Sequence, residues 1–195
     1  MKNRAPHNLR NWLFFILFGL ILGLYFFQRD KIKCVEQISY GKIPSFEMID
    51  QHGKSLTLEH LNDRVWVVDF IFTTCLGPCP IMSQKMASLQ KIFYNEKQFR
   101  MVSVTVNPEY DSPKVLKEYG DRYNANHDKW HFLTGTRESI RTLIVDGFHL
   151  GDIEDIIFHS LKFVLVDQDG NIRGYYDSDD SEDMKTLEKD IKRLL

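Results

Sequence analysis

The sequence predicts an α/β domain on a central, largely parallel sheet. Two near-continuous apolar runs, Val65 to Phe72 and Met101 to Val106, read as strands buried on both faces. Between them, Met82, Met86, Leu89 and Phe93 recur at helical spacing behind Pro80, which makes the three segments a β-α-β unit. The 195 residues, 43% hydrophobic and 27% charged, suit one globular domain plus an appendage.

That appendage is the N-terminus. Trp12 to Phe27 is an unbroken apolar run close to the minimum for crossing a bilayer, and Lys2, Arg4 and Arg10 precede it. The chain therefore divides into a cytoplasmic N-terminus (1–10), a transmembrane anchor (11–28), a polar linker (29–42) and a domain (43–195) that the positive-inside rule sets outside the cytoplasm. In a bacterium this is the inner membrane facing the periplasm, and in a mitochondrion the intermembrane space. No small residues follow the run to mark a signal-peptide cleavage site, and Ile32 and Lys33 disfavour lipoprotein processing at Cys34.

Within the domain, Phe46 to Ile49 and Ser55 to Leu58 flank an Asp/Gly-rich turn and read as a hairpin. The strand Val65 to Phe72 and a helix starting near Pro80 follow, then the strand Met101 to Val106. Asp111-Ser112-Pro113 opens a helix through Leu116 and Tyr119, because proline suits a first turn. Trp130 to Leu133 reads as a strand and Thr136 to Val145 as a helix. The strand Leu161 to Val166, a turn at Asp167 to Asn171, the strand Ile172 to Tyr176 and a polar helix to Leu195 complete the domain.

The chemistry concentrates in Thr73-Thr74-Cys75-Leu76-Gly77-Pro78-Cys79-Pro80, where a strand delivers two thiols to the mouth of a helix. Glycine and two prolines imply a shaped, exposed loop, and a helix N-terminus lowers a cysteine pKa toward the physiological range. Two thiolates form a soft ligand set suited to Cu(I), zinc or iron–sulfur species, and a third ligand completes a trigonal copper site. Of seven histidines, His159 stands apart because it immediately precedes the buried strand from Leu161. Met82 and Met86 have the spacing of core residues rather than ligands. Cys34, close to the anchor in a basic stretch, is assigned no role.

Two acidic segments have structural explanations. Asp177, Asp179, Asp180, Glu182 and Asp183 sit where a helix starts and carboxylates are favoured. Asp167-x-Asp169-Gly170-Asn171 lacks the spacing and closing glutamate of a calcium loop and reads as a turn. Residues 1–27 hold three of the 25 basic residues and none of the 27 acidic ones, so the remainder is about −5 and has no electrostatic footprint for nucleic acid. An acidic surface of this size steers only loosely toward a basic partner patch.

Phe72 to Pro80, then Ser103-Val104-Thr105-Val106-Asn107-Pro108-Glu109-Tyr110-Asp111-Ser112-Pro113, then His159-Ser160 before Val164 to Gly170, resemble the Sco/SenC family over roughly residues 43–195. The resemblance implies a thioredoxin-like domain with a central mixed sheet. It also implies a copper chaperone serving the CuA-bearing subunit of cytochrome c oxidase, or another cuproprotein, and receiving copper from a donor protein. Its implied ligands are Cys75, Cys79 and His159, holding Cu(I), with Cu(II) as a second state. Leu76 stands where many members have proline, and Asn107 where an aspartate is usual. The rival reading is a membrane-anchored thiol-disulfide oxidoreductase that reduces the cysteines of a cuproprotein client, with Cys75 and Cys79 catalytic. The C-x-x-x-C spacing, and Ser160-Leu161 where thioredoxin-like oxidoreductases carry a cis-proline, favour copper handling.

Overall fold

The computed structural model describes residues 15–20, 22, 38–151 and 161–195. The expected anchor over 11–28 falls largely outside them: residues 15–20 and 22 are helical, and no helix among the described residues is long and apolar enough to cross a membrane. Ser39–Leu195 forms one compact unit.

That unit is a seven-stranded sheet made of β1 (Glu47–Asp50), β2 (Ser55–Thr57), β3 (Val65–Ile71), β4 (Phe99–Thr105), β5 (Trp130–Thr134), β6 (Lys162–Val166) and β7 (Ile172–Asp177), in the order β2-β1-β5-β4-β3-β6-β7. The three central strands β3, β4 and β5 run parallel, while β1, β2, β6 and β7 pair antiparallel, so the sheet is mixed. The mixed sheet implied by the family resemblance is the one found, and the largely parallel sheet predicted from the apolar runs holds only for its centre. Short turns such as Asp167 to Asn171 can join only antiparallel neighbours, and they determine the edges.

Helices follow the strands: α1 (Pro78–Ile92), α2 (Pro113–Arg122), α3 (Arg137–Thr142) running into a π turn (Leu143–Gly147), and α4 (Ser181–Leu194). Prolines occupy the first turns of α1 and α2, where their missing N–H is not required. α2 is capped by the Ser112 hydroxyl, which accepts from the Val115 N–H. α4 starts on Asp180, whose carboxylate accepts from the Glu182 and Asp183 N–H groups, so the acidic run is a helix cap as its position predicts. The Asp167 carboxylate closes the β6–β7 turn by accepting from the N–H groups of Asp169 and Asn171 at 3.0 and 2.8 Å, with Gly170 at φ +79°.

Side-chain alternation along β3 divides the core. Trp66, Val68 and Phe70 enter the layer that holds Ile140, Ile144 and Phe148, while Val65, Val67 and Ile71 enter the layer under α1, α2 and α4. Asp69 shares the parity of the second group, and it is fully buried.

Because β3 and β4 are parallel, the loops leaving both emerge at the same edge of the sheet. β6 runs antiparallel to β3, pairing Val68 with Val164 and Trp66 with Val166, so the chain also enters β6 at that edge. Three separate segments thereby converge on one edge. Open α/β sheets bind ligands outside the carboxyl ends of their strands.

Candidate metal centre

Cys75 lies in the bend after β3 and Cys79 in the first turn of α1. Both are free thiols. The loop that carries them is exposed at Thr74, Leu76, Gly77 and Pro78, but the two cysteines turn inward: they are 9% and 4% accessible and belong to one apolar cluster with Met82, Met86, Phe72 and Leu161. The helix begins at Pro78 rather than near Pro80, which carries Cys79 inside the first turn and against the core. Leu76, between them, is 99% exposed.

This burial reverses the expected thiol chemistry. Removal from water pushes the Cys79 thiol up to about 12, and both its hydrogen bond with Cys75 and the nearby Cys75 and Asp69 charges add to the rise. In the metal-free state Cys79 holds its proton at neutral pH, so a metal that binds it must displace that proton.

Beneath the pair lies a buried polar chain. The Trp130 indole N–H donates to Ser103 Oγ at 2.9 Å, and the Ser103 hydroxyl donates to Asp69 Oδ1 at 2.6 Å. Asp69 Oδ2 has no hydrogen-bond partner among the described residues. Burial raises the Asp69 carboxyl to about 7, against the lowering effect of Ser103. Alongside, Ser83 and Tyr119 share a 2.8 Å hydrogen bond. The sequence signal for Asp69 is a lone acid in the otherwise apolar Val65 to Phe72.

The β4–α2 loop supplies the remaining support. Asp111, fully buried, accepts from the Thr73 N–H at 3.1 Å, from the Thr73 hydroxyl, and from the Thr105 hydroxyl at 2.5 Å. A cleft of about 310 Å³ lined by Thr73, Thr74, Tyr110, Glu118 and Arg122 opens beside the thiol bend. Sequence reading treated Asp111 as a helix opener; the paired threonines at Thr73 and Thr105 are the signal for its second task.

His159 and Cys34 lie outside the described residues. Leu161, two positions after His159, belongs to the same cluster as both cysteines. Among the described residues no group of three or more His, Cys, Asp or Glu side chains could hold a metal ion. Met82 and Met86 are buried core residues, as their spacing predicts.

The SCO1/SenC family model matches residues 37–195. The chain belongs to the SCO1/SenC family. It is 33% identical over 188 residues to the SCO1 protein homolog of Bacillus subtilis (strain 168), which spans 91% of this chain and 96% of the relative. The fold agrees with that of BsSco, a member of the Sco family of cytochrome c oxidase assembly proteins in which a disulfide switch was identified. The TM-score is 0.71 at 33% identity, over 82% of this chain and 95% of that one. A structure of Arabidopsis thaliana ScoI with copper bound matches at TM-score 0.65 and 25% identity, covering 78% and 99% of the two chains. The domain is thus a thioredoxin-like α/β fold with a mixed central sheet, and its family includes copper-binding proteins and oxidase assembly factors.

Proposed function

We propose that this protein is a membrane-tethered copper chaperone that holds copper through Cys75, Cys79 and His159 and passes it to the CuA site of cytochrome c oxidase. The carrying observation is the pair of free thiols packed side by side at the sheet edge where the chain enters β6. Two soft sulfur donors with one imidazole suit Cu(I) as cargo. A buried site keeps water and oxidants from the metal, and a client cysteine could replace one ligand at a time. The copper bound to Arabidopsis thaliana ScoI supports the same reading.

The apolar run and its preceding basic residues support an anchor over 11–28 with the domain outside the cytoplasm. Such a tether raises the effective concentration of the domain toward a membrane-embedded oxidase.

The test is an anaerobic titration of the reduced full chain with Cu(I) against a competing chelator. One tightly bound equivalent, lost in Cys75→Ser/Cys79→Ser and weakened at least tenfold in His159→Ala, is the expected result. Weak binding indifferent to His159 would sink the proposal. A second reading, reduction of a cuproprotein client by the same thiols, draws support from the disulfide switch of BsSco. It predicts a mixed disulfide with that client, trapped through one cysteine when the other is replaced by serine.

A further inference from the structure

We propose that Asp111 is a positioning residue for the thiol pair, a latch from the β4–α2 loop that fixes the segment carrying Cys75 relative to Cys79. The two cysteines are held by different means. Cys79 is built into the first turn of α1, whereas Cys75 sits in an irregular bend whose own backbone bond is from the Cys75 N–H to the Phe72 carbonyl at 3.1 Å. Two residues before Cys75, Thr73 is held twice by one carboxylate, through its N–H and through its hydroxyl.

The same carboxylate also accepts from Thr105, the last residue of β4, and Thr105 Oγ1 in turn accepts from the Asn107 N–H at 3.0 Å. The Asp111 N–H donates to the Asn107 carbonyl at 3.0 Å. The carboxylate is thus fixed to a central strand before it reaches the bend. Glu109, the other acid of this loop, turns outward and pairs with Arg137 through two hydrogen bonds of 2.9 Å. Asp111 alone faces inward, and the thiol bend supplies two of its three donors.

An alanine cannot replace it, because it offers no acceptor to any of the three donors. The bend would then be released at Thr73 and the mean separation of the two sulfurs would widen. A wider separation lowers the effective concentration of one thiol toward the other. The disulfide becomes easier to reduce, and a metal needing both sulfurs binds less tightly.

The copper half of this inference rests on the proposed function, but the redox half does not. The experiment is a redox titration of the full chain against dithiothreitol, whose two thiols give up two electrons and two protons in forming a cyclic disulfide while the Cys75–Cys79 sulfur–sulfur bond becomes two thiols. Asp111→Ala is expected to favour reduction at least tenfold, about 30 mV upward for this two-electron couple. Cu(I) affinity in a chelator competition is expected to fall at least tenfold. Thr73→Val, which loses one of the two bonds, should shift in the same direction by a smaller factor, and Thr73→Ser, which keeps both donors, should restore the parent potential to within twofold.

Ile144→Ala, in the core layer on the opposite face of the sheet from the two cysteines, separates latching from general loss of stability: it lowers the urea midpoint and leaves the potential unchanged. A shift under threefold in Asp111→Ala, or one matched by Ile144→Ala, overturns the proposal. If Asp111→Ala fails to fold, equal potentials for Thr73→Val and Thr73→Ser overturn it instead. A shifted potential in a chain that binds Cu(I) weakly and without regard to His159 would leave the latch standing and remove the chaperone reading.

Discussion

At the scale of single residues, two buried ionisable groups give the protein opposing responses to pH. Asp69 is raised from 3.8 to about 7 by burial, so the folded state keeps a proton that the unfolded state releases between those values. Stability from this group is fully present below about pH 4 and is lost as pH rises through 7. Asp69→Asn removes the penalty, and urea unfolding should show a gain on the order of 3 kcal/mol at pH 8 that disappears near pH 4. His131 behaves in the opposite sense, because burial first and then the Arg100 charge lower it from 6.5 to about 4. Its contribution is present above pH 6.5 and lost as pH falls through 4. His131→Gln should flatten the fall in stability over that window by roughly 2 kcal/mol. A gain for Asp69→Asn that is the same at pH 4 and pH 8 would show that the acid is not neutral in the fold. Asp69 was legible as an oddity in an apolar strand; its pairing with Ser103 required β3 and β4 to be set side by side.

Individual elements were predictable where a local rule governs them. Pro113 and Ser112 start α2 and Asp180 starts α4 because caps and first-turn prolines act within a few residues. α1 starts two residues before its expected start, with Pro78 as well as Pro80 in its first turn; Cys79 is at the mouth of the helix as expected, but buried. The contact between α2 and β5 cannot be read locally. A Cβ at Gly120 would approach Phe132 Cε2 to 2.6 Å and His127 Cε1 to 2.9 Å, and Phe132 is fully buried. Helix propensity alone gives Gly120→Ala a gain of about 1 kcal/mol, but displacing a buried ring costs about 1–3 kcal/mol. Thermal unfolding should therefore show Gly120→Ala to be destabilised, and an increase in Tm would mean that the helix and strand separate freely.

For the whole molecule, the site exists because parallel central strands and an antiparallel neighbour bring three distant segments to one edge. Cargo that binds only the folded chain must stabilise all of it, by about 2.7 kcal/mol at a free concentration one hundred times Kd. Cu(I) should raise the Tm of the reduced chain, and Cys75→Ser/Cys79→Ser should abolish the increase; an equal rise in the double variant would assign the copper to another site. The sequence by itself determined the strand and helix order, the two-thiol motif and the acidic caps, since each depends on periodicity, capping or spacing within a short window; three separated motifs carried the family resemblance, and with it the mixed sheet. Tertiary structure decided that both thiols are buried and Cys79 holds its proton, and that Asp111 grips Thr73 across 38 residues of chain. These properties depend on solvent exclusion and contacts between distant segments, which exist only once the sheet has assembled.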